Sequence, residues 1–478
     1  MYVEQLYTGC LAEAAYYIES EGVAAVIDPL RETAPYEELA AKRGAKIKYV
    51  LETHFHADFV SGHIDLAAKT GAKLIFGPNA KPGYSSYIAE DGEELTLGKV
   101  VIKILHTPGH TMESTTYLLI DENGTNNAIF TGDTLFIGDV GRPDLAVKSD
   151  LSEKDLAGIL YDSLHNKILT LSDDVIVYPG HGAGSQCGKN MSKETVSTIG
   201  QQRKMNYALQ DMTKDQFVEI VTDGLAEPPA YFPENARINR EGYVSIDDVI
   251  RKNLNPLSVE EFEDKVSQGA LILDTRTPDE FEKGYVPGSL NIGLNGQYAP
   301  WVGALIPIDK KIVLVTAPGK EKEAVIRLAR VGFENVYGYL ENGMNAWDES
   351  NRKIECINSI EAKDLGALVD KGYQVLDVRR STEVDAEHLD LALNVSLVDL
   401  EDRIDELSSF QSYIVHCAGG YRSMIASSIL KAHGINNIVN VRGGFDAIKK
   451  LDGVNIVSGK CATQILNEKL EQLEIKQV

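Results

Sequence analysis

Short runs of apolar and β-branched residues recur through the first 182 residues, with polar segments between them: VAAVIDP (23–29), IKYVLETH (47–54), AKLIFGP (72–78), VVIKILHTPGH (100–110), TTYLLID (115–121), NAIFTGD (127–133) and VIVYPGH (175–181). Runs of this length read as strands, and helical stretches separate several of them. Three runs end in a His-bearing segment and one ends at Asp133, so polar groups gather where strands give way to loops, the usual place for a site on a rigid scaffold. After a polar segment of helical character, Pro228, Pro229 and Pro233 in EPPAYFPENARINREG interrupt regular structure and mark a domain boundary.

Beyond about residue 255 the pattern repeats itself. LILDTRTPDEFEKGYVPGSLNI (271–292) lies over QVLDVRRSTEVDAEHLDLALNV (374–395), and KIVLVTAPGKEKEAV (311–325) over SYIVHCAGGYRSMIA (412–426). Two copies of one α/β unit are expected, at 255–353 and 357–453, each alternating short buried strands with helices. The final segment, 454–478, has helical spacing and reads as a packing or homo-oligomer-contact helix.

Composition narrows the class of protein. With 25% charged and 43% hydrophobic residues the chain of 478 has the balance of a folded globular protein, with room for about three domains. The net charge of −24, with no basic cluster to offset it, argues against nucleic acid or an anionic membrane as partner. No basic N-terminal start and no bilayer-length apolar run are present. The 5 cysteines, Cys10, Cys187, Cys356, Cys417 and Cys461, are odd in number and scattered, which points to a reducing compartment and hence the cytoplasm.

One buried histidine at a strand end is ordinarily structural. Here His54, His56, Asp58, His110, Asp133 and His181 stand together at such ends with Gly or Thr beside most of them, and that set reads as a metal site. Imidazole and carboxylate suit zinc, iron or manganese, and ligands drawn from several strands leave coordination positions open. Cys187, close by in sequence, has no evident base and reads as a small buried residue; His63, His106 and His165 read as structural.

Over roughly residues 1–240 this pattern resembles the metallo-β-lactamase superfamily, which implies an αββα sandwich for a domain at 1–245. In the superfamily's two-metal hydrolases, the positions of His54, His56 and His110 hold one ion. Asp58, His181 and a further His hold the other, with Asp133 shared. That further His is Phe59 here, which cannot ligate. The remaining set is similar to the persulfide dioxygenase branch, as are VGRPDL, GHGAGSQCGKN and PPAYFP. The resemblance implies one Fe(II) per chain on His54, His110 and Asp133, with O₂ as co-substrate, and makes His56, Asp58 and His181 groups that orient ligands or water. Arg142 and Lys189 are candidates for holding the anionic body of a thiol carrier.

In the second repeat, Cys417 follows an apolar strand and opens the loop CAGGYRS ahead of an apolar helical run. Small residues there turn backbone N–H groups inward, which with Arg422 forms an anion cradle that favours a thiolate. This combination resembles the rhodaneses, sulfurtransferases that carry sulfane sulfur on cysteine, and casts both repeats as rhodanese-like domains. The first repeat places Ala317 at the position of Cys417 and has no thiol to use, so a spacer or docking role is expected for it. The whole is similar to a persulfide dioxygenase fused to a tandem rhodanese: a low-molecular-weight thiol persulfide goes to sulfite at iron, and Cys417 passes sulfur to sulfite, giving thiosulfate, or the coupling runs in reverse. The alternatives are a glyoxalase-II-like zinc thioesterase and a non-catalytic sulfur carrier.

Overall fold

Along Glu13–Ser20 the side chains alternate between two buried layers, with Ala14, Tyr16 and Ile18 in one and Ala15 and Tyr17 in the other. The computed structural model describes residues 1–145, 151–460 and 462–473; Cys461 and the last residues of the expected terminal helix, 474–478, lie outside them. Two units are present, one of residues 1–248, 329–332 and 466 onward, the other of 249–328 and 333–465.

In the first unit, one sheet contains β1 (Tyr2–Thr8), β2 (Glu13–Ser20), β3 (Val23–Ile27), β4 (Lys46–Glu52), β5 (Lys73–Phe76) and β6 (Tyr87–Ile88) in that order. The other contains β7 (Glu94–Leu97), β8 (Val100–His106), β9 (Thr115–Ile120), β10 (Asn126–Gly132), β11 (Ile176–Pro179) and β12 (Ser197–Thr198), again as neighbours in sequence. Tyr16, Ile27 and Leu51 from the first sheet meet Ile102, Tyr117 and Phe130 from the second in the central layer. On the outer faces, the helices Ala34–Arg43 and His63–Thr70 cover the first sheet through Tyr36, Ala40 and Leu66, and Glu153–Ser163 and Lys214–Thr222 cover the second through Leu160, Phe217 and Ile220. This is the αββα sandwich, and period-two alternation on strands buried on both faces is its cause. Leu470 of the terminal helix is 1% exposed and packs into the same cluster as Leu160 and Phe217, so this part of the helix serves the fold of the first unit.

The second unit contains two five-stranded parallel sheets of one topology. The first is ordered β13 (Pro256–Leu257), β17 (Val336–Leu340), β16 (Ile312–Val315), β14 (Leu271–Asp274), β15 (Leu290–Asn291). The second is ordered β18 (Asn358–Ile360), β23 (Ile438–Val441), β22 (Tyr413–His416), β19 (Gln374–Asp377), β21 (Leu393–Asn394), and a separate pair joins β20 (Glu387–Leu389) to β24 (Ile456–Ser458). The match extends to side chains. Arg276 grips Asp274 and donates to the Gly284 carbonyl, as Arg379 grips Asp377 and donates to that of Glu387. Among the described residues no helix is long and apolar enough to cross a membrane, and Cys10, Cys187, Cys356 and Cys417 form no disulfide.

Candidate functional site

The loops that follow β4, β8, β10 and β11 supply the histidines and carboxylates of the first unit. After β4, Thr53 is pinned to Asp28, its amide donating to Oδ1 at 2.7 Å and its hydroxyl to Oδ2 at 2.8 Å. Because that hydroxyl proton is committed, Thr53 Oγ1 accepts from His54 Nδ1 at 2.9 Å, which leaves the lone pair on His54 Nε2. After β8, His110 Nδ1 donates to the Arg142 carbonyl at 2.9 Å and likewise frees Nε2. At the end of β10, Gly132 takes φ 48° and turns the chain so that Asp133 enters the site; Gly180 is required opposite, since a Cβ there would lie 2.8 Å from Asp133 Oδ1.

The three groups converge. His110 Nε2 is 3.5 Å and His54 Nε2 3.9 Å from Asp133 Oδ2, and the ligand atoms of the trio lie within 4.8 Å of one another. Asp133 is buried, yet neither carboxylate oxygen has a hydrogen-bond partner among the described residues. A buried carboxylate without a partner, facing two imidazole Nε2 atoms, has the donor set of a metal site. Burial, aided by the neighbouring His56, His110 and His181, holds His54 well below the usual imidazole range, so it presents a lone pair.

His56, Asp58 and His181 also have ligand atoms within 4.8 Å of one another, and His181 Nε2 stands 3.4 Å from Asp58 Oδ2 and 3.5 Å from Asp133 Oδ1. His56 differs electrostatically from His54. Burial works against its charged form, but Asp28, with its Oδ1 3.2 Å from Nε2, and the carboxylates of Glu52 and Asp58 raise it to about 10. Phe59, fully buried, lies against the His56 ring, with centroids 4.4 Å apart and planes tilted by 36°.

The two cations expected to hold a carrier thiol are engaged by the protein. Arg142 is 5% exposed, pairs with both oxygens of Asp144 and donates to the carbonyls of Gln186 and Ala226. Lys189 donates to the carbonyls of Ile220 and Asp223, and burial lowers it to about 8. Both side chains anchor loops.

Two residues gain importance over their reading in sequence. Cys187, taken as a bland core residue, has its sulfur in a cluster with Asp133 and His181 whose ligand atoms lie within 4.8 Å; burial, then Asp58 and Asp133, hold its thiol well above the ordinary range. Asn239, 1% exposed, donates to the carbonyls of His56 and Phe59 at 2.8 Å each and accepts from the Ser61 amide at 2.9 Å, so it shapes the whole ligand loop. Its only sequence signal was an Asn on a helix that follows the Pro-rich segment.

In the second unit, Cys417 is 1% exposed at the end of β22, and the Gly420 N–H donates to its sulfur at 3.1 Å. Gly420 has φ 104°, a conformation that favours glycine, and caps the helix Tyr421–Ala432. Arg422 forms a bidentate pair with Glu383, Nη1 to Oε2 2.6 Å and Nη2 to Oε1 2.8 Å. The first repeat has no thiol here, but the equivalent residue is Thr316 and not Ala317. Asp377 of β19 partners His416, and Asp274 of β14 partners Val315, so the next residues, Cys417 and Thr316, coincide. The overlay of 311–325 on 412–426 pairs the same two residues, so Ala317 falls one place beyond the thiol position.

Comparison with known proteins agrees with these two architectures. The metallo-beta-lactamase superfamily model matches residues 8–181, and the rhodanese-like domain model matches residues 258–350 and 361–451. The human mitochondrial persulfide dioxygenase ETHE1 is 32% identical over 200 residues, spanning 41% of this chain and 70% of that protein. A probable hydroxyacylglutathione hydrolase, glo2 of Schizosaccharomyces pombe, is 31% identical over 162 residues, 33% of this chain and 59% of that one. The crystal structure of a metallo-beta-lactamase from Staphylococcus aureus subsp. aureus COL superposes with a TM-score of 0.63 at 28% identity, covering 71% of this chain and 98% of its own.

Proposed function

Since the chain belongs to the persulfide dioxygenase family of the metallo-β-lactamase superfamily and carries two rhodanese-like domains, we propose that it oxidises a low-molecular-weight thiol persulfide to sulfite and couples this to sulfur transfer through Cys417. The observation that carries the first half is the Asp133 carboxylate, buried and unpartnered, facing the free Nε2 atoms of His54 and His110. Those three residues would hold one Fe(II), and iron on a two-His, one-carboxylate face supplies O₂-activating chemistry with positions open for substrate. The net reaction consumes persulfide, O₂ and water and releases sulfite and free thiol.

The protein's own groups have separate tasks. Thr53 and the Arg142 carbonyl fix the tautomers of His54 and His110. His56, held beside Asp28 and Glu52, together with Asp58 and His181, orients water and ligands beside Asp133. In the rhodanese domain the Cys417 thiolate attacks the outer sulfur of a persulfide, the carrier leaves as thiolate, and sulfite then attacks the new outer sulfur, releasing thiosulfate and restoring the thiolate. The same residues serve the reverse coupling. The Gly420 N–H, with the helix N-terminus behind it, steadies the negative charge on sulfur throughout.

The hydroxyacylglutathione hydrolase relative and the His56, Asp58 and His181 cluster favour a second reading, a two-zinc thioesterase. One experiment separates the two. Anaerobically purified protein is expected to contain about one Fe(II) per chain and to consume O₂ when given a thiol persulfide. Two tightly held zinc ions with thioester hydrolysis and no O₂ uptake would overturn the dioxygenase reading. An iron-loaded protein inert to both substrates would leave only the sulfur-carrier reading.

A further inference from the structure

The first rhodanese-like repeat lacks a thiol but touches the loop that has one. Tyr421, directly after Gly420, donates its hydroxyl to the Gly293 carbonyl of the first repeat at 2.6 Å. Its ring lies over Gly296, where a Cβ would come within 2.5 Å of ring carbons. Arg327, 6% exposed, donates to the carbonyls of Leu294 at 2.6 Å and Gly296 at 3.0 Å, which rigidifies the segment receiving the tyrosine. About two turns further along the same helix, the buried Ser428 hydroxyl accepts from the Asn291 backbone amide at 3.0 Å.

The duplication provides an internal comparison. Overlay of 271–292 on 374–395, continued along the chain, sets Gly293 and Gly296 against Ser396 and Asp399, and the strand register that equates Thr316 with Cys417 sets Lys320 against Tyr421. Among the described residues, docking is therefore built in one direction: a tyrosine from the thiol-bearing loop onto a glycine platform in the thiol-free copy. Lys320 pairs instead with Glu323. Gly420 is the link to chemistry, because its amide faces the Cys417 sulfur at 3.1 Å and its neighbour is the anchored tyrosine.

We infer that the thiol-free repeat acts as a brace for the catalytic loop of its neighbour, with Tyr421 a positioning residue that aims the Gly420 amide at the Cys417 sulfur. The inference rests on the reading of Cys417 as sulfur carrier. A rigid loop presents its amides in place before charge develops, and a loosened one must be reordered on every cycle.

The test uses the full-length chain carrying Tyr421→Phe, which removes the hydroxyl, or Gly296→Ala, which lifts the ring from a position remote from the sulfur. Backbone hydrogen exchange over 417–423 is expected to quicken by about fivefold, the effect of losing one hydrogen bond, with β19 unchanged. Sulfur loading of Cys417, read by mass spectrometry, is expected to lose a similar factor in rate at saturation while half-saturation by persulfide stays put. Wild-type exchange in folded Tyr421→Phe, or a lower melting temperature with exchange and loading both unchanged, would overturn the inference. If Gly296→Ala does not fold, Tyr421→Phe decides alone. Should exchange respond while wild-type protein takes up no sulfur, the brace stands and the Cys417 reading falls.

Discussion

The ring of Phe59 lies against the imidazole of His56, centroids 4.4 Å apart and planes inclined by 36°. It occupies, in the resemblance set out above, the place of a histidine that serves the second ion of two-metal hydrolases. A carbon ring there leaves Asp58 and His181 short of that ligand. Phe59→His should therefore raise affinity for a second divalent ion, measured as metal stoichiometry after dialysis against limiting zinc. A stoichiometry unchanged from wild type would show that the carboxylates charging His56, rather than Phe59, limit the site.

Cys417→Ser should separate the two activities. Oxygen consumption with a thiol persulfide is expected to continue at the wild-type rate while sulfite accumulates and thiosulfate disappears, both read by derivatisation and chromatography. Thiosulfate at the wild-type level would remove Cys417 from the mechanism.

Asn239→Ala is expected to lower stability by roughly 2–4 kcal/mol, since it strands two buried carbonyls and an amide that are each left with a desolvation penalty. Urea unfolding gives the stability, and iron retention under a chelator should fall in parallel because the same bonds shape the loop that carries His54. Loss of stability with iron retention intact would show that the ligand loop holds its form without Asn239.

Lys189 should leave a signature in alkaline stability. Its folded-state value of about 8 lies below the unfolded value of about 10.4, so between these limits the unfolded chain binds the extra proton. Stability attributable to this residue must then rise with pH through that window, being penalised below about 8. The gain is at most about 2 kcal/mol once partial exposure is allowed for. Lys189→Gln should flatten the rise in a comparison of denaturation midpoints from pH 7.5 to 10.5, the span of about three units over which the window lies; parallel curves for the two proteins would contradict it.

Much of the molecule was legible along the chain. Strand alternation, the His and Asp residues at strand ends, the repeat and the Cys417 loop are local patterns, and local patterns follow from the fixed periodicity of strands and the chemistry of adjacent residues. Phe59 belongs with them, because its meaning depends on a motif of neighbours. Folding alone decided the rest. Which imidazole nitrogen of His54 faces Asp133 depends on Thr53 and, through it, on Asp28; the charge on His56 depends on Asp28 and Glu52 together. Arg142 and Lys189 looked available in sequence, yet carbonyls of Ala226 and Ile220, far along the chain, engage them. Side-chain chemistry is written in the residue, but its protonation, partners and direction are set by groups that only the folded chain brings within hydrogen-bond distance.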